Sequence, residues 1–504
     1  MREFLFARIG MPSKYSFYMS KNLSRYLLGL LSFWLLAGII PVFTVACLRG
    51  IELGLLPLMA FLIVMASSLR LAVFSIQNDK RIISMTFWIF VYVFLGLTPL
   101  LQLLSNHFPL EGSYMSASIT TTFLIIFYGL ISFEFGWWLG CDNSPYIMGI
   151  MKRFSIYRYI SLKRTVTLSI LAMVGIIIII WKLGGLESAF LSREEQLNLL
   201  IEFSKGESQA KLQILSTLLR VPIFIALILL SAIWLHEGKQ SKHYGRFNLW
   251  EKILLLVVVL INLLINNPVS SPRYWFGTIV FSLIFLALHW RSKLSFSFLM
   301  TAILLSLLFV FPFADMFRST TNIDRLVLQE SSNISNPLVN KSDYDSFQQI
   351  LNTTEYVEDH GIAFGKQMFG TLLFWVPRNL WSGKPNPSGV EVAEYKGYEY
   401  TNLSMPLWGE AYMDGGILGV IIVFVIYGFI VSAIEYIYIN FYSSGPNFLN
   451  TFVPVYAAYQ FFMLRGTLMS AFAYFMPIVI FMFIATKREN SSNIQNNFEI
   501  YQGK

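Results

Sequence analysis

Runs of about 20 apolar residues recur along the whole chain, and that recurrence leaves few folds open. Wound as a helix, such a run matches the hydrocarbon thickness of a bilayer, and only a helix or a closed barrel satisfies its own backbone groups there. Hydrophobic residues fill 55% of the 504 positions and charged ones 13%, far from the balance of a soluble globular chain. The pattern predicts an all-α, polytopic integral membrane protein with about 12 transmembrane helices. The expected spans are 27–48, 54–76, 83–104, 118–140, 166–184, 212–235, 250–267, 273–290, 294–314, 416–440, 447–464 and 467–486.

Orientation follows from Lys and Arg, because positive connections are retained in the cytoplasm. The N-terminal tail holds Arg2, Arg8, Lys14, Lys21 and Arg25, and alternate loops hold Lys152, Arg153, Arg158, Lys163 and Arg164, then Lys239, Lys242, Arg246 and Lys252. The intervening loops are poorer, and 105–117 has no Lys or Arg. Both termini are therefore expected inside. The tails are 1–26 and 487–504, spans 1–9 fill 27–314, spans 10–12 fill 406–486, and the polar segment 315–405 faces out. No cleavable signal peptide is expected, since about 26 largely polar residues precede the first span. The net charge of +8 sits beside cytoplasmic span ends, where insertion and anionic lipid account for it, so no nucleic-acid partner is expected. Cys47 and Cys141 fall near opposite faces and can neither pair nor build a metal cluster.

About 90 polar residues in one connection of an otherwise short-looped protein mark the place for chemistry. The first part of this segment is rich in Asn and Ser and reads as loop, with a short helix near Tyr344 to Leu351. From Ala363 the string AFGKQMFGTLLFWVPRNLW is apolar but interrupted, and predicts an interfacial helix on the outer leaflet. Pro377, Pro385 and Pro387, with Gly383 and Gly389, then predict an extended rigid turn.

Arg273, Arg318, Arg378 and Arg465 gather at the expected outer face, where Arg is disfavoured. Their planar forks suit a lipid pyrophosphate, and Lys384 in SGKPNP is a fifth candidate. The same side chains also suit snorkelling to headgroups, and Arg318 can pair with Asp315. Asp359, His360, Glu391, Glu394, Glu410 and Asp414 are possible acid–base groups; Glu410 in LWGEAYMDGG leads, with helix capping as its structural alternative. Tyr395, Tyr398, Tyr400, Trp408 and Tyr412 can stack on sugars or simply belong to an aromatic belt. Within the membrane, Arg70 and Glu134 fall at similar depth and are expected to pair as a structural clasp. Walker, dinucleotide, Gly-x-Ser-x-Gly and His-Glu-x-x-His motifs are absent from the sequence, as are internal repeats.

The strings PRNLWSGKPNPSG, NLSMPLWGEAYMDGGILG and MLRGTLMSAFAYF, on a multi-span plan with one large late external loop, resemble the Wzy-type O-antigen or oligosaccharide repeat-unit polymerases. The resemblance implies an inverting, metal-independent glycosyltransferase of the GT-C type, without cofactor, in the bacterial inner membrane. It would move a growing glycan from undecaprenyl pyrophosphate onto a new lipid-linked repeat unit, with a chain-length regulator protein as partner. Arg273, Arg378 and Arg465 are the positions the resemblance assigns to carrier phosphates, and the spacing Arg378 to Gly389 matches an Arg-x(10)-Gly pattern of some members. The rivals are the O-antigen ligase, whose loop His is poorly matched by His360–Gly361, and a lipid-linked oligosaccharide flippase or other transporter.

Overall fold

Helices occupy all twelve apolar stretches in the computed structural model, which describes residues 23–48, 50–77, 80–142, 158–182, 185, 209–236, 247–267, 271–288, 295–311, 336–399, 401, 403–441 and 446–488. Among the described residues, eight helices are long and apolar enough to cross a membrane: Arg25–Ala46, Leu55–Gln77, Ile82–Leu104, Ser116–Cys141, Leu162–Trp181, Thr217–Leu235, Leu407–Asn440 and Leu468–Ala485. The others, Leu249–Ile265, Arg273–Ala287, Phe296–Val310 and Phe448–Arg465, are shorter or less apolar. The described residues are thus predominantly helical, as in an all-α membrane protein. The expected boundaries hold to within a few residues, because long apolar periodicity is the strongest local signal a chain carries.

The chain divides into two units. One comprises Met1–Asn143, His289–Tyr436 and Gln460–Ala473; the other comprises Ser144–Leu288, Ile437–Tyr459 and Tyr474–Lys504. In the second, strands Arg158–Ile160 and Thr486–Arg488 pair antiparallel, and Tyr159 bridges Asn447. Arg158 Nε donates to Thr486 Oγ1 at 2.9 Å and Arg164 Nη1 to Thr486 O at 2.7 Å. The basic 152–164 connection and the C-terminal end of the last helix, both expected on one side of the membrane, therefore meet, and the connection before Asn447 joins them.

In the first unit Ile82–Leu104 is the central helix, with 94% of its apolar window buried. Arg70 Nε donates to Glu134 Oε1 at 2.9 Å, and the guanidinium lies 4.7 Å from the ring centroids of both Phe74 and Trp137. The expected clasp forms because each charge alone would be costly in apolar surroundings. Three helices loosen into π turns at Leu35–Ile39, Val91–Leu97 and Ser306–Val310. Such turns leave carbonyls short of partners. Buried tyrosines bond two of them: Tyr92 Oη donates to Leu36 O at 2.8 Å, and Tyr344 Oη to Leu307 O at 2.5 Å.

The second of these tyrosines belongs to the polar segment, which does not remain a surface loop. Helix Ser346–His360 is twice the length of the short helix expected, and all of Ser346 to Thr354 is buried. It is a polar plug. Gln348 exchanges bonds with the backbone of Leu110, its Nε2 donates to Tyr114 Oη, and Tyr114 Oη donates to Asn352 Oδ1 at 2.7 Å. Satisfied polar groups can be buried, and here they define one register for the plug.

Candidate functional site

Asp345 sits at the foot of the plug with its side chain 1% exposed. Its Oδ1 accepts from Arg465 Nη2 at 3.0 Å and from Ser404 Oγ at 2.6 Å. Arg465 also donates to Ser342 O at 2.9 Å and Asp343 O at 3.0 Å, while its own carbonyl accepts from Met405 N at 2.9 Å. Arg465 therefore ties the end of helix Phe448–Arg465 to the plug and to the incoming 403–406 strand of chain. Its fork is used as the sequence predicts, on several oxygens at once, but those oxygens are the protein's own.

After Met405 the chain makes a helical hairpin. Helix Leu407–Phe441 breaks at Gly415 and Gly416, where Gly416 has φ +59 and ψ −150. The two arms lie together: Trp408 is 4.3 Å from Phe424 by ring centroids, and a Cβ on Gly419 would come within 2.5 Å of Ala411 O. The positive φ and the close approach both require glycine. The Gly-Gly pair of YMDGGILG is thus a reversal, and the long arm starts where span ten was expected, at residue 416.

This helix carries carboxylates that hold the N-termini of three others. Glu410, buried, accepts from Leu468 N at 2.7 Å, the first residue of helix Leu468–Ala485. Asp414 accepts from Gln367 N at 2.9 Å and Met368 N at 2.6 Å in helix Lys366–Leu372. Glu435 accepts from Ser84 N at 2.7 Å and Ser84 Oγ at 2.6 Å in helix Ile82–Phe90. Orphan amides and the positive end of the dipole favour a carboxylate at each place. For Glu410 the capping alternative is the one the geometry supports, and Asp414 caps a helix as well. Glu435 was missed in the sequence, where it reads as one acid in an apolar run.

Between plug and hairpin the expected interfacial helix is only Lys366–Leu372, followed by turns. A buried end would need partners for its carbonyls, and Pro377 prevents continuation. Its apolar side chains stay uncovered: Phe364 is 86% exposed, Leu380 82%, and Phe369, Leu372 and Trp375 are exposed too. Arg378 Nη1 donates to Lys384 O at 2.9 Å, and Nη2 to Pro385 O at 3.3 Å and Asn386 Oδ1 at 2.6 Å. Lys384 Nζ returns bonds to Phe374 O at 2.6 Å and Val376 O at 2.9 Å. Burial, and then Arg378, lower the Lys384 pKa. These two cations lock the Pro-rich turn. Helix Ser388–Tyr395 follows directly, so the extended turn ends at Pro387, and Gly389 lies inside the helix against Thr467. Pro is well suited to precede a helix, which the expectation of further extended chain left out.

Glu391, half-buried on that helix, accepts from Gln367 Nε2 at 2.9 Å and Tyr356 Oη at 3.5 Å. Burial raises its pKa, against the lowering effects of Gln367, the Asn386 amide and Lys366. Glu391 and Asp414 both lie close enough to act electrostatically on Glu410. Nearby, the exposed His360 stacks on Tyr356 at 4.5 Å, and Tyr395 Oη donates to Asp359 Oδ2 at 2.5 Å. Tyr395 is pushed up to about 12, chiefly by that bond. Lys396 pairs with Glu355.

Of the proposed sugar-stacking residues, Tyr398 is partly buried, accepting from Asn352 Nδ2 at 3.1 Å, and Tyr412 is half-buried. Trp408 requires correction: it is 0% exposed, lies against Phe87, Phe90 and Phe424, and donates from Nε1 to Ile126 O at 3.3 Å. Its ring fills the core because the re-entrant arm carries it there, and it has no face for a sugar. Arg273 opens helix Arg273–Ala287 in the other unit. Arg318, its expected partner Asp315, and Tyr400 lie outside the described residues. Among the described residues, no group of three or more His, Cys, Asp or Glu is arranged to hold a metal ion. In comparisons with known proteins, no family model, curated protein or solved structure matches the chain.

Proposed function

We propose that this chain polymerises lipid-pyrophosphate-linked oligosaccharide repeat units on the outer face of a bacterial inner membrane. On this reading twelve crossings leave both termini inside, which would put the folded 336–406 segment outside, and the family resemblance supplies the inverting, metal-independent GT-C chemistry. One observation carries the proposal. A single stretch of chain offers an uncovered apolar strip, Phe364 to Leu380, an exposed guanidinium, Arg378, and a half-buried carboxylate of raised pKa, Glu391. A lipid-linked donor needs all three. Its polyprenyl chain stays in the bilayer beside the strip. Its pyrophosphate meets Arg378, which has five N–H groups and uses three of its hydrogen bonds on the turn.

In the reaction the acceptor hydroxyl attacks the anomeric carbon of the donor sugar and the bond to carrier pyrophosphate breaks. The hydroxyl proton passes to Glu391, and the carrier leaves as the pyrophosphate anion. Glu391 replaces Glu410 as the leading base because Glu410 is held by the Leu468 amide. A general base of this kind contributes on the order of 10²–10⁴-fold. Deleting the gene is expected to leave surface glycan carrying one repeat unit in place of a ladder on a gel of extracted lipopolysaccharide. An undiminished ladder, or loss of every unit, rejects the proposal. A thiol probe on a Cys at exposed position 394 should react from outside the membrane; reaction only from the cytoplasm would remove the active face.

A further inference from the structure

A cavity of about 650 Å³ opens between the connections 52–57 and 103–116, in the first unit and apart from the Glu391 group. Its size is in the range of small-molecule sites. Polar groups on its wall include Glu52, Asn106, His107 and Glu111, with the rings of Phe108 and Tyr114 among them. No Lys or Arg is among the described residues that line it. The wall is held in place from behind. Tyr114 Oη and the Leu110 backbone bond to Gln348 and Asn352 of the plug, Tyr398 Oη donates to Glu111 O at 3.3 Å, and Glu52 N donates to Leu104 O at 2.9 Å. Asn106 turns the loop with φ +49, a conformation Asn tolerates better than most residues.

The charge pattern decides what such a cavity accepts. Glu52 and Glu111 on the wall disfavour phosphate, and the ammonium of Lys396, 5.2 Å from the centroid of the Tyr114 ring, is paired with Glu355, so the pyrophosphate end of a carrier does not belong here. Carboxylate, amide and imidazole groups accept and donate to vicinal hydroxyls, while Phe108 and Tyr114 offer apolar surface to the C–H face of a pyranose. We propose that this cavity binds the uncharged, hydroxyl-rich part of a glycan, a second carbohydrate subsite separate from the pyrophosphate and Glu391. In naming a glycan it rests on the polymerase reading. The plug connects the two places: Gln348 and Asn352 back the cavity, and Tyr356, one turn further on the same stripe, meets Glu391. From Gln348 to Tyr356 is about 12 Å along the helix axis.

The test uses full-length protein in nanodiscs and oligosaccharide released by mild acid from the cell's own lipid-linked precursor. Binding is followed by saturation-transfer NMR and calorimetry. Glu52→Gln with Glu111→Gln should weaken binding at least tenfold, and Ser113→Trp, which adds an indole to the lining, should do the same, with the helical circular dichroism of both variants unchanged. Absence of binding to the wild type, or undiminished binding to both folded variants, overturns the subsite. So does calcium chloride binding that the double substitution abolishes while oligosaccharide binding persists, since the carboxylates would then serve a cation. The binding result decides the cavity by itself. A deletion strain that keeps its ladder overturns the polymerase reading alone.

Discussion

Arg465→Met separates two causes of stability at the foot of the plug. The guanidinium bonds Ser342 O, Asp343 O and Asp345 Oδ1 at 2.9, 3.0 and 3.0 Å. With side-chain exposures of 14% and 1% the ion pair is little screened by solvent. Removing one partner leaves a buried carboxylate without its counter-charge, at a cost of about 3–5 kcal/mol. Ser404 Oγ still donates to Asp345, which favours the lower end. The two abandoned carbonyls add about 1 kcal/mol each, for roughly 5–7 kcal/mol altogether, nearer the lower figure.

Adding Asp345→Asn to Arg465→Met removes the stranded charge while the amide oxygen still accepts from Ser404, so only hydrogen bonds are lost, about 2 kcal/mol. The double variant is therefore expected to be more stable than Arg465→Met alone. Arg465→Lys, whose ammonium cannot span three acceptors, should fall between wild type and Arg465→Met. The assay heats purified protein in detergent and measures the monodisperse fraction by size-exclusion chromatography. If the double variant melts at or below the temperature of Arg465→Met, the buried charge does not cause the loss and the reasoning fails.

Gly416→Ala should destabilise by about 1–3 kcal/mol because φ +59 with ψ −150 is open essentially to glycine alone, while Gly415→Ala, with open space at its Cβ and φ −148, should be near neutral; equal melting temperatures would refute the reversal. For Glu391 the folded pKa is raised, so its favourable contribution is complete below the unfolded value near 4.5 and is lost as pH rises through the folded one. Glu391→Gln should thus melt above wild type at pH 8 and level with it near pH 4, while losing the glycan ladder; a difference independent of pH would refute the burial argument. Arg378→Lys should shorten or abolish the ladder and speed tryptic cleavage after position 378, since one ammonium cannot hold three acceptors in the turn; a normal ladder from well-expressed protein would return Arg378 to a purely structural role.

The membrane helices were legible in the sequence because a bilayer imposes a length and a composition that a one-dimensional string records directly. Arg70 with Glu134 was legible for the same reason, since two charges at one depth in apolar runs have few partners other than each other. The polar segment was harder to read. Its low hydrophobicity indicates a loop, yet Asp345, Gln348, Gln349 and Asn352 are buried. Their acceptability depends on partners such as Leu110, Tyr114, Ser404 and Arg465, most of them far away in sequence. Composition reports whether a residue costs energy to bury. It does not report whether another residue offsets that cost.

The acids of helix Leu407–Phe441 show the same limit at the level of function. Read along the string, Glu410 near aromatic residues is a base with a raised pKa, and Asp414 its neighbour four residues on. In three dimensions each lies beside the amide end of another helix, and Glu435 does the same further along. A carboxylate in that position stabilises a packed arrangement, and proton transfer from an acceptor hydroxyl would disrupt the bond that holds it. Glu391 differs because it is only half-buried and accepts from the side chains of Gln367 and Tyr356, where Glu410 is buried and accepts from the first amide of a helix. Removing the Glu410 carboxylate should therefore lower the amount of folded protein, whereas removing that of Glu391 should lower turnover in protein that still folds. Paired Glu410→Gln and Glu391→Gln variants, scored for membrane abundance and for ladder length per molecule, distinguish the two roles, and the reverse outcome would restore Glu410 as the base.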